Sequence, residues 1–125
     1  MTNPIGSTKR ISLQIRDHEG IAYTVDLTVT EEDKTGTLVV FTADSRVVEK
    51  FGLRNLQKSE DGKNLTCHVS GATVTLSLES DEDPPALQVA ARYVFPFFDA
   101  TYHLSRTEQQ RFVDWIRDLG IGVQV

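Results

Sequence analysis

The feature that most constrains the fold lies in the last third of the chain. An alternating run at 87–95 ends in the aromatic block 93–98, with the sequence YVFPFF, and a single amphipathic stretch follows at 105–119. Alternation with period two predicts a strand with one buried face, whereas apolar residues at helical spacing predict a helix with one apolar stripe. This order predicts a small sheet closed by a C-terminal helix.

The stretch at 105–119 carries explicit signals for the start and the end of a helix. Ser105 and Glu108 match a capping box, in which each side chain accepts a hydrogen bond from the backbone N–H of the other residue. Gly120 follows the last apolar position and predicts the end of the helix. The apolar stripe consists of Phe112, Trp115, Ile116 and Leu119.

Earlier segments alternate in the same way and predict further strands. The runs at 11–16 and 21–29 flank a polar turn, so they predict a β-hairpin. The run at 37–42 is apolar on both faces, which indicates a central strand or one covered by a helix. A second hairpin is predicted between 54–58 and 64–70, because the dipeptide Asp61-Gly62 lies between them. The run at 72–78 alternates again.

The segment 44–52 has two interpretations. Asp44 and Ser45 are typical N-cap residues, and Gly52 lies where a left-handed C-cap would. The apolar residues between them share one face at helical spacing. We therefore predict a short helix here, with a strand as the alternative.

Taken together, these patterns predict an α+β fold. We expect six to eight strands in a mainly antiparallel β sheet, or a small β-barrel, capped by one C-terminal helix. The alternative is a flat open sheet with the helix across one face. Length supports a single β-rich domain at 9–125, since 125 residues suit one domain. The polar residues 1–8 are predicted to form a flexible arm.

Composition excludes several classes of protein. The net charge of −5 argues against a nucleic-acid or anionic-membrane binder, because phosphate attracts clustered Lys and Arg. The single cysteine, Cys67, cannot form an internal disulfide. No apolar run approaches the length of a membrane helix, and the polar start lacks the apolar core of a signal peptide. We therefore predict a cytoplasmic protein without membrane insertion.

No set of residues has the spacing of a catalytic or metal site. The three histidines, His18, His68 and His103, are far apart in the sequence. Cys67 and His68 are neighbours on a predicted strand, so their side chains point to opposite faces. The acidic groups at 31–33 and 79–83 fall in predicted loops and are typical of solvated charge. We predict no catalytic residue, no metal and no cofactor.

The aromatic block is the feature with most functional appeal. Its side chains are predicted to pack beneath the C-terminal helix, and the alternative is that some line a ligand groove or a dimer face. Pro96 cannot donate to a β ladder, so it predicts an unpaired edge near the end of the strand at 87–95. The tail at 121–125 alternates apolar residues with Gly and Gln and can add as an extra strand.

This edge and tail form the predicted contact with a partner protein or a second copy of the chain. The competing expectation is that the tail folds back and caps its own sheet. The predicted partner-binding residues are Phe97, Phe98, Ile121, Val123 and Val125.

From residue 74 to residue 119 the order of elements resembles the second half of a PilZ-type cyclic-di-GMP domain. The shared parts are a strand at 74–78, a strand at 87–94, an aromatic stretch and a helix at 107–119. This covers about a third of the chain. The terminal helix with Trp115 also resembles the closing helix of pleckstrin-homology folds.

The PilZ family reads its ligand with an Arg-rich N-terminal motif and a downstream Asp/Asn-x-Ser-x-x-Gly motif. Lys9, Arg10 and Arg16 do not have the arginine spacing of that family. Asp44 and Ser45 lack the intervening residue and the glycine. The resemblance therefore implies a fold with a degenerate ligand motif, and no ligand residue is carried over from it.

The predicted function is a non-enzymatic protein-interaction or regulatory binding module. The alternative is a small-ligand-binding domain with a PilZ-like fold, which leaves a small ligand as an open question. Heat of binding with a cyclic dinucleotide distinguishes the two.

Overall fold

A computed structural model describes residues 8–69, 72–79, 81, 84–93 and 97–123. Within these ranges the chain forms ten strands and one helix. The elements are β1 (Thr8–Arg16), β2 (Ala22–Thr30), β3 (Thr35–Thr42), β4 (Val47–Leu53), β5 (Gln57–Lys58), β6 (Asn64–Val69), β7 (Ala72–Glu79), β8 (Ala86–Tyr93), β9 (Phe97–His103), α1 (Arg106–Asp118) and β10 (Gly122–Val123). The predicted α+β fold with one C-terminal helix is confirmed.

The strands form one curved sheet in the order β10-β5-β6-β7-β8-β9-β1-β2-β3-β4. The described ladders are antiparallel except for the short parallel pair of β10 with β5. The two halves of the sheet meet where Arg16 of β1 pairs with His103 of β9. Strands β4 and β10 end the order, so the described ladders do not close the sheet into a barrel. The end of β4 nevertheless lies close to β6, because the backbone of Arg54, just after β4, contacts the Cys67 sulfur on β6.

The concave face of the sheet encloses a single apolar core. Alternate residues of each long strand point into it, as the period-two pattern predicts, because successive side chains of a strand lie on opposite faces. The largest side chains with under 2 % of their surface exposed are Phe112, Leu13, Ile15, Leu27, Leu38, Leu53, Leu56, Leu65, Leu76, Leu87, Ile116 and Val25.

Helix α1 covers the open side of this core. Ser105 is its N-cap, and the Ser105 hydroxyl accepts a hydrogen bond from the backbone N–H of Glu108 (3.1 Å). Phe112 and Ile116 are fully buried, whereas Trp115 is only partly buried and packs at the margin of the core. The predicted start, end and apolar stripe of the helix are therefore confirmed, with Phe112 rather than Trp115 at its centre.

The predicted helix at 44–52 is wrong, because this segment contains strand β4. Ser45 has a positive φ of 68°, which ends any helix there. The Ser45 N–H donates to the Thr42 carbonyl (3.0 Å), and the Thr42 N–H donates to the Arg46 carbonyl (2.8 Å), so a tight turn joins β3 to β4. Pairing of β4 with β3 outweighs the helical spacing of its apolar residues.

The turn at Asp61-Gly62 lies between β5 and β6, as predicted. Gly62 has a φ of 76°, which favours glycine. A Cβ atom at this position would lie 3.0 Å from the Val113 carbonyl oxygen and 2.9 Å from Cγ of Arg117. Glycine therefore permits both the turn conformation and the close approach of the turn to α1.

The strand predicted to carry a free edge lies inside the sheet. Strand β8 pairs with β7 over Ala86–Tyr93 on one side and with β9 over Ala86–Arg92 on the other. Over Ala86–Arg92 this strand has no free edge, because residues 97–103 form a further strand that the sequence pattern did not reveal. The unpaired edge predicted near the end of the strand, beside Pro96, falls outside the described residues and stays a prediction. Residues 94–96, including Pro96, lie outside the described ranges.

The prediction of an N-terminal arm at 1–8 falls almost entirely outside the described residues. Thr8 already belongs to β1 and pairs with Thr30 of β2.

Candidate functional site

The outer edge of β4 carries an exposed apolar pair. Val47 is 57 % exposed and Val48 is 45 % exposed, whereas Phe51 and Leu53 further along the same strand are buried. The strand therefore begins outside the core and runs into it. β4 ends the strand order, so over Val47–Lys50 no described strand pairs with the side that faces away from β3.

A β-bulge shapes this exposed part of β4. Glu49 pairs with Val40 of β3, but the next paired position joins Val47 to Phe41, so Val48 is an extra residue without its own partner on β3. Bulges increase the local twist and bend the strand that carries them. The bulge thus sets the two valines apart from the regular ladder.

Three cations and two carboxylates lie around the valine pair. Arg46, Lys50 and Arg54 are exposed, while Glu49 between them is half-buried. Arg46 forms an ion pair with Asp44 (3.3 Å), but both side chains are largely exposed, so the pair contributes little free energy. Three cations against the two carboxylates of Asp44 and Glu49 give residues 44–54 a net charge of +1, so the β4 edge is a slightly basic strip on a chain with a net charge of −5. We call Val47 and Val48, with the three flanking cations, the β4 edge site.

Side chains of the helix cover the edge of β1 that faces away from β2, over the residues before Arg16. β1 and β9 pair only at Arg16 and His103, and α1 then follows the rest of β1 where a strand could have continued. A carboxylate oxygen of Glu108 accepts a hydrogen bond from the Gln14 N–H (2.7 Å), and the Arg111 guanidinium donates to the Ser12 carbonyl (3.1 Å). Helical side chains thereby take the hydrogen-bonding place of a strand.

This cover changes the predicted capping box. Ser105 makes its half of the box, but Glu108 does not return the hydrogen bond to the Ser105 N–H. One Glu108 oxygen accepts from Gln14 N and the other pairs with Arg111 (2.6 Å). The same glutamate that the sequence assigned to the helix end instead joins the helix to the sheet.

The predicted partner-binding residues have different positions. Ile121 is buried in the core, so in this conformation its side chain does not face a partner. Val123 is 46 % exposed in β10. Phe97 and Phe98 belong to β9 and pair with β8, but their side chains, like all of Val125, lie outside what is described. The structure therefore does not bring these residues together as one described surface.

The described part of the tail folds back onto its own sheet. β10 pairs with β5 in parallel, and Lys58 of β5 donates to the carbonyls of Arg117 (2.8 Å) and Leu119 (2.6 Å) at the end of α1. The Gly120 N–H donates to the carboxylate of Glu31 in the β2–β3 turn. These contacts correspond to the competing expectation, in which the tail caps its own sheet. Partner binding by the tail stays a prediction.

A cleft of about 340 Å³ opens where β1 and β9 diverge. Arg16, Pro84, Ser105 and Glu108 are among the residues that line it, and His103 forms part of its wall. Nδ1 of His103 is buried and has no hydrogen-bond partner among the described residues. A buried polar atom without a partner is uncommon, so this nitrogen is a candidate contact for a bound molecule.

Beyond His103, a second depression of about 420 Å³ contains an ordered polar network. Asp17 accepts hydrogen bonds from the backbone N–H groups of Ile21 and Glu19 (each 2.9 Å) and from the Tyr23 hydroxyl (3.3 Å). Desolvation acts to raise the pKa of Asp17, but these donors outweigh it and hold the pKa below its usual value. Asp17 is thus an ionised residue that orders the β1–β2 turn.

The tyrosines beside this network are unsuited to act as bases. The rings of Tyr23 and Tyr102 meet edge to face at 5.8 Å. Desolvation raises the pKa of Tyr102, and the charges of Tyr23, Glu49 and Asp17 raise it further. Desolvation and the nearby Asp17 likewise raise the pKa of Tyr23. Both phenols therefore remain protonated at neutral pH.

Cys67 lies in the core on β6, with 1 % of its surface exposed. Desolvation raises the pKa of its thiol, which opposes formation of the nucleophilic thiolate. Among the residues that the structure describes, no three His, Cys, Asp or Glu side chains are grouped so that they could hold a metal ion.

Comparison of the chain with known protein families, with curated proteins and with solved structures gave no match. In the described part of the chain, no helix is both long enough and apolar enough to cross a membrane.

Sequence reasoning missed the β4 edge site because it assigned the two valines to a helix. One signal was present in the sequence: adjacent valines favour a strand over a helix, because their side chains are β-branched. His103 was noted, but nothing in the sequence indicated that it would lie at the junction of β1 and β9.

Proposed function

We propose that the protein is a non-enzymatic interaction module that binds an extended segment of another protein along the β4 edge site. The observation that carries this proposal is the exposure of Val47 and Val48 on a strand that ends the sheet. A strand edge presents N–H and C=O groups that can pair with an added strand, and neighbouring apolar side chains contribute affinity.

The contrast with β1 supports this assignment. Edge strands favour aggregation and are usually covered, shortened or charged. In this chain Glu108 and Arg111 cover β1, whereas the start of β4 combines exposed apolar side chains with a bulge. The bulge and the flanking cations disfavour pairing with most other strands. A segment whose shape and charge are complementary to them can still pair.

Selection of peptides from a random displayed library tests the proposal. Selected peptides are expected to bind the wild-type protein and to shift the backbone amide signals of residues 47–50 in NMR spectra. The double variant Val47→Lys and Val48→Lys is expected to lose binding. Ile21→Lys is the matched control, since Ile21 is an exposed apolar residue (52 %) in the β1–β2 turn.

Selected peptides that bind the double variant as tightly as the wild type would contradict the proposal. So would amide shifts confined to other strands.

A second candidate function, binding of a small ligand, is favoured by the unpartnered Nδ1 atom of His103 at the cleft between β1 and β9. The PilZ resemblance suggests cyclic di-GMP as the first compound to test. Titration calorimetry is expected to give heat of binding that His103→Ala reduces. Absence of heat with the wild-type protein would contradict this ligand.

A further inference from the structure

The charges around the β4 edge site restrict which segments it can accept. Arg46, Lys50 and Arg54 make the strip basic although the whole chain is acidic. Side chains directly opposite each other on paired strands interact, and like charges in these positions are destabilising. An incoming segment with Lys or Arg opposite this strip is therefore disfavoured.

A second copy of the chain fits poorly for the same reason. From Val48 onward, where the alternation is regular, two β4 strands related by a two-fold axis must pair residues that are an even number of positions apart, since opposite residues share a face of the sheet. Pairing centred on Glu49 sets this carboxylate against itself. This register brings like charges together, which disfavours self-association through it.

Each position of β4 makes a different demand on an added strand. Val48 offers an exposed apolar contact, and Lys50, two positions later, offers an exposed ammonium group. Residues opposite these two positions are also two apart and share a face. Between them lies the half-buried carboxylate of Glu49. The complementary strand therefore has an apolar residue and an acidic residue two positions apart, with a residue that is not acidic between them.

We infer that the partner of the β4 edge site is an extended protein segment in which apolar and acidic side chains are spaced two residues apart. This inference rests on the proposed function and names the chemistry of its partner. It assigns Lys50 the role of a specificity-determining residue, while Val47 and Val48 supply apolar contact.

Three synthetic peptides of equal length test the inference. Each alternates Val with a neutral spacer, and at every second Val position it carries Glu, Gln or Lys. Fluorescence anisotropy at low and at high salt measures their affinities. The Glu peptide is expected to bind roughly three- to tenfold more tightly than the Gln peptide, from one or two cross-strand charge pairs, and the difference is expected to shrink at high salt.

Charge reversal provides the decisive variant. Lys50→Glu is expected to shift the preference from the Glu peptide to the Lys peptide. Arg106→Glu, at an exposed position in the first turn of α1, is the matched control and is expected to leave the preference unchanged.

The outcomes separate this inference from the proposed function. Equal binding of all three peptides, with binding lost in the uncharged double variant Val47→Ser and Val48→Ser, would overturn the charge preference and leave edge binding in place. Binding that survives the double valine substitution, or no binding of any peptide, would overturn both. A Glu preference that persists in Lys50→Glu would overturn the role of Lys50.

Discussion

The edges of β1 and β4 belong to one sheet but differ in what lies beside them. Along β1, Glu108 and Arg111 of the helix bond to the backbone at Gln14 and Ser12. Along the start of β4, two valines are exposed and the described strands provide no neighbour. Among the described residues, a helix thus covers one edge, and the start of the other edge is left open. Exposure of a strand edge is therefore a local property of β4, because the edge of β1 in the same sheet is covered.

Truncation of Phe112, at the centre of the apolar stripe of α1, should have the largest effect on the unfolding free energy. Phe112→Ala leaves a cavity beneath α1, and truncation of a buried phenylalanine typically costs about 3–5 kcal/mol of unfolding free energy. Urea unfolding measures this loss. Trp115→Ala is the control, with a smaller expected cost, because Trp115 is only partly buried. An equal or larger loss for Trp115→Ala would contradict the described packing of the helix.

Removing the cover of β1 without disturbing the core should have an intermediate effect. Glu108→Ala deletes the acceptor for the Gln14 N–H, and loss of one such hydrogen bond typically costs about 0.5–1.5 kcal/mol. Hydrogen exchange at the Gln14 amide should become faster. Glu108→Gln keeps an acceptor oxygen and should preserve most of the protection. Unchanged exchange in Glu108→Ala would mean that the helix does not cover this edge.

The turn at the end of β1 gives a smaller, pH-dependent effect. Because the pKa of Asp17 is lowered in the folded protein, its charge stabilises the fold at neutral pH, and this contribution is lost as pH falls below the usual Asp value of 3.8. Asp17→Asn retains an oxygen for the Ile21 and Glu19 N–H groups. The variant should be less stable than wild type at neutral pH, and the difference in urea midpoint should shrink on acidification. A difference that grows at acid pH would contradict the assignment.

Changing the open edge should have the smallest effect on stability. Val48→Lys alters an exposed side chain, and such substitutions typically change the unfolding free energy by no more than about 0.5 kcal/mol. Leu53→Ala on the same strand is the contrasting variant, since Leu53 is 2 % exposed and its truncation should cost about 2–5 kcal/mol. Thermal unfolding compares the two. A large loss for Val48→Lys would mean that this edge is covered in solution.

Features with strong local signals could be predicted from the sequence. The helix start at Ser105, the turn at Gly62 and the hairpin of β1 with β2 each depend on residues close together in the chain. Alternation also identified which side chains enter the core. These predictions succeed because a cap, a positive φ or a period-two pattern acts over a few residues.

Features decided by distant contacts could not be predicted. The spacing of Val47, Val48 and Phe51 fits one helical face, and only the β3 ladder with its bulge makes this segment a strand. Glu108 matched a capping box but is engaged by Gln14. The candidate site was also missed because it depends on distant contacts: the two valines are exposed only because β4 is the last strand in the order of the sheet.

The cover of β1 also bears on how the protein is synthesised. Its two contacts join residues 94 and 99 positions apart in the chain. At about 5–20 residues per second, translation separates the emergence of β1 from that of its helix by on the order of 5–20 s. During that interval β1 can pair with β2, but its other edge has no neighbour. Neighbouring nascent chains on one message are therefore exposed to wrong pairing at β1 until α1 has been translated and covers this edge.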